Sequence, residues 1–290
     1  MLIIHDGEAH MKRDLLTVQE AANAVGVSTS TLKRLCESSS IDVIRTPGGH
    51  RRIDKLDLDR MVGLFRRSRH GSRGDDEALS IDQVMQSLLS GKPMHVAKLF
   101  SQFTHSGTSL LHALENNLVA AMWRVGQLWR DGKLDVYQEH ICTNTALTAV
   151  DILRHQLPDI PAHSPVAVGG SFAPSYETLP SKLIALGFEL IGIRAFDLGG
   201  AVPIQSMALA AKDLHANIVW ITHTHVCDAE SLLACHQSLH EQLLDTCRIV
   251  VGGGGLSPAM RRSIPWCTYY ETISEMVNSE SSMLSRQPSA

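Results

Sequence analysis

Several groups of residues in this chain combine types and spacings that support chemistry. Ser175-Tyr176-Glu177 places hydroxyls beside a carboxylate just after a short apolar run. Such a carboxylate can act as an acid or base, and toward a metal it is a harder ligand than an imidazole. His223-Thr-His-Val-Cys227 ends another apolar run. Alternate residues of an extended segment share a face, so this trio permits a transition-metal site and equally a partly solvated loop. His236 and His240 stand four apart on an expected helix, again either a metal pair or an exposed face. Gly252-Gly-Gly-Gly255-Leu-Ser-Pro can cradle a phosphate through backbone amides, although it lacks the Lys-Ser/Thr of a P-loop. Trp129 precedes Glu139-His140 by nine intervening residues, a spacing that by itself suits a core indole with a structural Glu. Lys33, Arg34, Arg45, His50, Arg51 and Arg52 offer donors for phosphate and for base edges. Near Glu177 there is no nucleophile and no second clear catalytic partner, so the chain is not expected to be an enzyme, and no metal site is assigned.

These groups need elements to hold them. The runs 165–168, 218–222 and 248–251 are apolar and short, end in small or polar residues, and precede helical patterns. They predict buried parallel strands of a Rossmann-like sheet, whose ligands sit outside the carboxyl ends of the strands. The loops opening at Gly170, Thr222 and Gly252 should therefore line one crevice, with Ser175, Tyr176, Glu177, Thr222, His223, Gly252 and Gly253 as its candidate residues. Upstream, 80–89, 94–103, 109–131 and 136–156 carry helical spacing separated by turns, which predicts a four-helix bundle.

At the amino end, Thr17-Val-Gln-Glu20 reads as a capping box for a helix over 18–24. Gly26 allows a turn, and Ser28 caps a second helix over 29–37 that offers Thr29, Ser30, Lys33 and Arg34 outward. Residues 41–53 read as two strands around Pro-Gly-Gly, crowded with Arg45, His50, Arg51 and Arg52, and 55–65 as a closing helix. The segment 66–76 is charged, glycine-bearing and aperiodic, a flexible linker.

Helix spacing and the Arg-Thr-Pro-Gly-Gly-His-Arg-Arg run resemble the winged helix-turn-helix of the MerR and excisionase group over residues 15–65. The resemblance implies a recognition helix in the major groove, with Lys33 and Arg34 at the groove and the wing arginines on backbone phosphates. Further on, Leu198-Gly-Gly-Ala-Val-Pro203 resembles the Leu-Gly-x-x-x-Pro turn of cobalamin-binding domains, and Gly252-Gly253 resembles their glycine loop for the nucleotide tail. The Trp129-x9-Glu139-His140 spacing resembles the helical cap of the light-responsive, cobalamin-dependent repressors of carotenoid genes. Those relatives carry Asp/Glu-x-His-x-x-Gly in the first loop, with the His on cobalt. Counting back from Leu198-Gly199 puts Gly192 on the helix-ending glycine and Glu177 on that His, with Ser175 at the acid and Pro180 at the glycine. The light-responsive members also have a His after the Trp, where this chain has Arg130.

The expected architecture is multidomain: a winged helix-turn-helix at 12–66, a linker at 67–77, a helical bundle at 78–160, an α/β Rossmann-like sheet domain at 161–280 and a disordered tail at 281–290. With 290 residues and 44% apolar content, the chain can bury more than one core. Charge is divided unevenly: residues 12–73 hold 13 Lys/Arg against 7 Asp/Glu, and residues 74–290 hold 13 against 21. A basic module on an acidic body suits a phosphate-binding module carried by a sensory or scaffolding body, and the resemblance implies double-stranded DNA as the partner of the first. The six cysteines lack paired short spacing, which argues against a zinc finger or a disulfide scaffold. No signal peptide or membrane span is evident, and cytoplasmic residence is expected. The functional expectation is a transcriptional regulator whose cobalamin-binding-like part controls homo-oligomerisation and operator binding without His-ligated cobalamin. The cofactor itself is left unassigned. The alternatives are a MerR-type sensor of a metal or another small molecule, and a corrinoid methyltransferase subunit.

Overall fold

The computed structural model describes residues 15–25, 43–45, 51–54, 79–102, 110–224, 228–244 and 246–284. The chain divides into two compact units, Met1–Arg73 and Gly74–Ala290.

In the first unit, β1 (Leu15–Thr17) leads directly into α1 (Val18–Val25). The capping box forms as expected: Thr17 Oγ1 accepts from the Glu20 amide at 3.2 Å, and Glu20 Oε2 accepts from the Thr17 amide at 2.8 Å. β2 (Val43–Arg45) pairs antiparallel with β3 (Arg51–Asp54), with Arg45 opposite Arg51. β1 pairs on the other side of β3, giving the order β1-β3-β2. That outer strand adds to the hairpin expected over 41–53. Leu15 and Leu16 gain a ladder with β3, whose Ile53 is fully buried.

The second unit begins with helices. Ser80 caps α2 (Ile81–Leu89) in a complete capping box with Gln83. α3 (Pro93–Ser101) follows, then α4 (Leu110–Ala113), which continues through one wide π-helical turn (Leu114–Val119) into α5 (Ala120–Arg130). Asp135 caps α6 (Val136–His155), the longest helix among the described residues. Their inward faces share a core that includes Val84, Leu88, Phe100, Leu114, Leu118, Val125, Ala146 and Val150.

A doubly wound sheet follows, all parallel, in the order β5-β4-β6-β7-β8. Its strands are β4 (Val166–Gly170), β5 (Arg194–Asp197), β6 (Ile218–Thr222), β7 (Arg248–Gly252) and β8 (Cys267–Tyr270). The helices are α7 (Leu179–Leu190), α8 (Ile204–Asp213), α9 (Ala229–Leu243), α10 (Pro258–Ser263) and α11 (Ile273–Leu284). Strand residues alternate between the faces. Ala167, Trp220 and Val250 pack with Phe188 of α7 and Met276 and Val277 of α11, while Val168, Val219, Ile221 and Val251 pack with Met207, Leu232 and Leu239. The edge strand β8 escaped the sequence reading because four residues following a one-turn helix give no periodic signal. α11 runs to Leu284, into the stretch expected to be a tail, since Tyr270 Oη bonds Ser279 and Glu280 near its end.

The helices and the sheet are fastened to each other. Leu183 and Leu186 of α7 enter the helical core. Arg154 of α6 grips Glu189 of α7 with two guanidinium nitrogens, and Lys182 bonds Asp151 at 2.6 Å. The buried Glu115, on the π turn, accepts from Ile273 N, Ser274 N and Ser274 Oγ, the first at 2.6 Å. A carboxylate there caps the amino end of α11 and meets the positive end of its dipole.

Candidate functional site

The strand order fixes where a ligand crevice belongs. β4 lies inside the sheet next to the edge strand β5, and the chain turns from β5 on one side of it to β6 on the other, so the loops after β4 and β6 diverge at a topological switch point. The loop after β4 carries Ser171, Phe172, Ser175, Tyr176 and Glu177; the residues after β6 are His223 and Thr224.

Glu177 spans the two loops. Its Oε2 accepts from Ser175 Oγ at 2.6 Å and from Thr224 Oγ1 at 3.2 Å. Tyr176 points outward, 78% exposed. The turn after β5 backs onto the same loop through Ala201 N to Ser175 O at 2.6 Å and Val202 N to Ser171 O at 2.9 Å. A Cβ on Gly200 would stand 2.8 Å from the Tyr176 carbonyl, so the close approach of these backbones requires the glycine. Gly192, with φ +79°, follows α7 and ends it as expected.

Below this latch lies a buried polar chain. His223 Nε2 and His236 Nε2 face each other at 2.9 Å, and His236 Nδ1 lies 3.5 Å from Cys267 Sγ. Phe172 meets both imidazoles edge-on, with ring centroids 6.1 and 5.4 Å away. His236 is fully buried and His223 nearly so. Burial pushes His223 down to about 4. Burial, with the neighbouring His223, pushes His236 down to about 3. The Cys267 thiol is pushed up to about 12 by burial. All three are neutral at physiological pH, and the facing nitrogens share one proton, one ring donating and the other accepting. Cys267 addresses the opposite nitrogen of His236, so it cannot join the two facing Nε2 atoms on one ion. Among the described residues no group of three or more His, Cys, Asp or Glu side chains is arranged to hold a metal; His225 and Cys227 lie outside them.

The expectation of an exposed face for His236 is thus corrected. His236 sits on the stripe Leu232, His236, Leu239, Leu243, the helical spacing of a buried face, and that stripe was the available signal. His240 stacks on Trp266 instead, at 5.1 Å and 11°. His223 belongs to the interior rather than to a solvated loop.

The remaining candidates fall elsewhere. Thr222 is buried and its hydroxyl points to Gly170 O at 3.5 Å, a strand-to-strand contact. Gly252 closes β7 beside Tyr270, where an added Cβ would stand 3.2 Å from its carbonyl oxygen. Gly253, at φ +110°, would place a Cβ 2.2 Å from His223 O, so its backbone packs on the chain itself. Trp129 is 47% exposed. Glu139 bonds His140 Nδ1 at 2.6 Å and Thr143 Oγ1 at 2.7 Å, a local arrangement on α6. Of the DNA-facing candidates, Thr29, Ser30, Lys33, Arg34 and His50 lie outside the described residues. Arg45 and Arg51 are described in backbone only, on neighbouring strands, and Arg52 is half-buried on β3.

Comparison with known proteins gives the two parts their classes. Residues 15–62 match a helix-turn-helix domain, and residues 80–154 match a B12 binding domain. The chain is 25% identical over 167 residues to dimethylamine corrinoid protein 2 of Methanosarcina mazei, spanning 57% of this chain and 78% of that one. It is 23% identical over 167 residues to the dimethylamine corrinoid protein of Methanosarcina barkeri, again spanning 57% and 78%. In fold it is similar to the monomethylamine corrinoid protein of Methanosarcina barkeri, with a TM-score of 0.55 and 15% identity over 69% of this chain and 96% of that one. A helix-turn-helix match thus precedes a B12-binding match over the helices α2–α6, and the parallel five-stranded sheet follows it.

That class implies a cobalamin, and the donor chemistry of the first loop tests it. Residues 171–178 contain no histidine, and the side chain that the resemblance places at the ligand position, Glu177, is hydrogen-bonded to two hydroxyls. A carboxylate held in this way is a poor axial donor for a corrin cobalt compared with neutral imidazole. The residues present do not fit a His-ligated cobalamin.

Proposed function

We propose that this protein is a DNA-binding transcriptional regulator, in which the second unit sets homo-oligomeric assembly and thereby binding to a double-stranded operator. The observation that carries it is the helix-turn-helix match over residues 15–62 in one chain with a B12-binding-type unit. The antiparallel β2–β3 pair, with Arg45, Arg51 and Arg52 on adjoining strands, supports reading it as a MerR-like wing. Arginine forks on such a hairpin suit backbone phosphates, and Lys33 and Arg34 are assigned to the groove. Two such modules joined by an oligomer bind paired half-sites through effective concentration, so modest single-site contacts suffice. In this reading the second unit performs no catalysis, and its kinship is with the light-responsive repressors through Trp129, Glu139 and His140.

The test is DNA binding by fluorescence anisotropy over a salt series, paired with sizing of the free protein. Exchange of Arg51 and Arg52 for alanine should weaken binding to all sequences alike and flatten the salt slope by about one to two units. Unchanged affinity and slope would remove the wing from the interface.

The similarity to dimethylamine corrinoid proteins favours a second reading, a corrinoid-carrying subunit of a methyltransferase system. That reading requires stoichiometric corrinoid and has no use for the basic amino-terminal module.

A further inference from the structure

Three observations made on different elements converge on the carboxyl ends of β4, β6 and β7. On the β4 loop, Phe172 turns inward, only 6% exposed, and packs edge-on against both imidazoles. At the end of β6, the backbone of His223 is clamped to the glycine loop: His223 N donates to Gly252 O at 2.9 Å and Gly255 N donates to His223 O at 2.8 Å. From α9, His236 reaches the same point, bonded to His223 on one ring nitrogen and facing Cys267 of β8 with the other. The space between the first loop and the glycine loop is therefore filled from three sides by side chains whose polar atoms satisfy one another. Above it, Glu177 and Thr224 tie the two loops that flank the switch point.

We propose that this chain has closed its own corrinoid site: Phe172, His223 and His236 form an internal plug where a nucleotide tail would enter, and the Glu177–Ser175–Thr224 latch seals the loops above it. The plug is a folded core in its own right, because the buried imidazoles pair with each other, and removing either one would strand a polar atom. The unit is accordingly complete without a cofactor, and loss of the axial histidine is one part of a wider replacement. A chain lacking only the ligand would keep an open slot and regain binding when the ligand is returned; a plugged chain would not. This inference concerns the second unit alone and stands whether or not the first unit binds DNA.

The experiment uses the full chain. Wild-type protein and the Glu177→His variant are incubated in the dark with excess methylcobalamin or hydroxocobalamin, desalted, and scored for retained corrin by visible absorbance. Both should retain less than about one-twentieth of an equivalent per chain, with melting temperatures unchanged by the corrinoid. Retention near one equivalent by the wild type, or its appearance in Glu177→His alone, overturns the plug. A second measurement is independent of that variant. His236→Ala should melt lower than wild type, and added imidazole, which fills the hole, should restore part of the loss. A His236→Ala protein that melts with the wild type would show that the pair fills no essential space, and it too overturns the proposal.

Discussion

Along residues 80–154 the chain keeps enough of a B12-binding pattern to be matched in sequence, whereas at the strand ends a carboxylate ties two loops, and an imidazole and a phenyl ring from those loops pack with the His236 imidazole of α9. The helical part leaves Trp129 and His140 facing outward; the strand ends turn their distinctive residues inward. A helical layer can hold its shape through its own core and its grip on α7 and α11, so it survives changes at a ligand site it does not support. The strand-end loops have no such independence. Once a ligand ceases to fill the space between them, only side chains can.

The comparison breaks most readily at Gly253. Alanine there must adopt a positive φ and meet the His223 carbonyl, so Gly253→Ala should cost about 3 kcal/mol or more in denaturant unfolding. A neutral result would mean that the glycine loop is not packed on the plug. His236→Ala should cost about 2–4 kcal/mol, the sum of a cavity and an unpaired imidazole.

Acid sharpens the contrast. The folded values of His223 and His236 lie below that of an unfolded histidine, so between about pH 6.5 and 4 the unfolded chain takes up protons that the folded chain refuses. Stability is then complete above that window and falls as the pH drops through it, by about 3 kcal/mol from His223 alone. Melting curves from pH 7 to 4 should record the loss, and replacing both histidines by glutamine should flatten it. At the joint between helices and sheet, Glu115→Ala removes a buried carboxylate that accepts three hydrogen bonds, and about 2 kcal/mol should go with it, read as early loss of protection in α11. Trp129→Ala, on an exposed surface, should change stability by less than about 1 kcal/mol. A larger loss would place Trp129 in a contact that its exposure does not show.

Much of the frame was legible. Thr17 and Glu20 announced a helix start, Gly192 a helix end, and the runs ending at Gly170, Thr222 and Gly252 gave three of the five parallel strands. Each of these signals is local: a cap, a positive φ, or an apolar period repeats within a few residues, and chain chemistry alone fixes it. Counting along the helix also marked Glu177 as the counterpart of an axial ligand under the resemblance, and residue order shows that 171–178 hold no imidazole.

The strand-end chemistry could not be read that way. His223 and His236 are separated by thirteen residues, and each taken singly admits a metal site or a solvated surface. Only the packing of α9 against the sheet brings their Nε2 atoms to 2.9 Å and sets Phe172 across both rings. Thr224 likewise meets Glu177 across 47 residues because β4 and β6 are neighbours in the sheet. The sequence by itself determined the donors present, three of the five parallel strands and the absence of histidine from residues 171–178. Tertiary structure decided that the imidazoles are a neutral, buried pair rather than a ligand set, because burial and long-range pairing are properties of the packed sheet that no short window of chain contains.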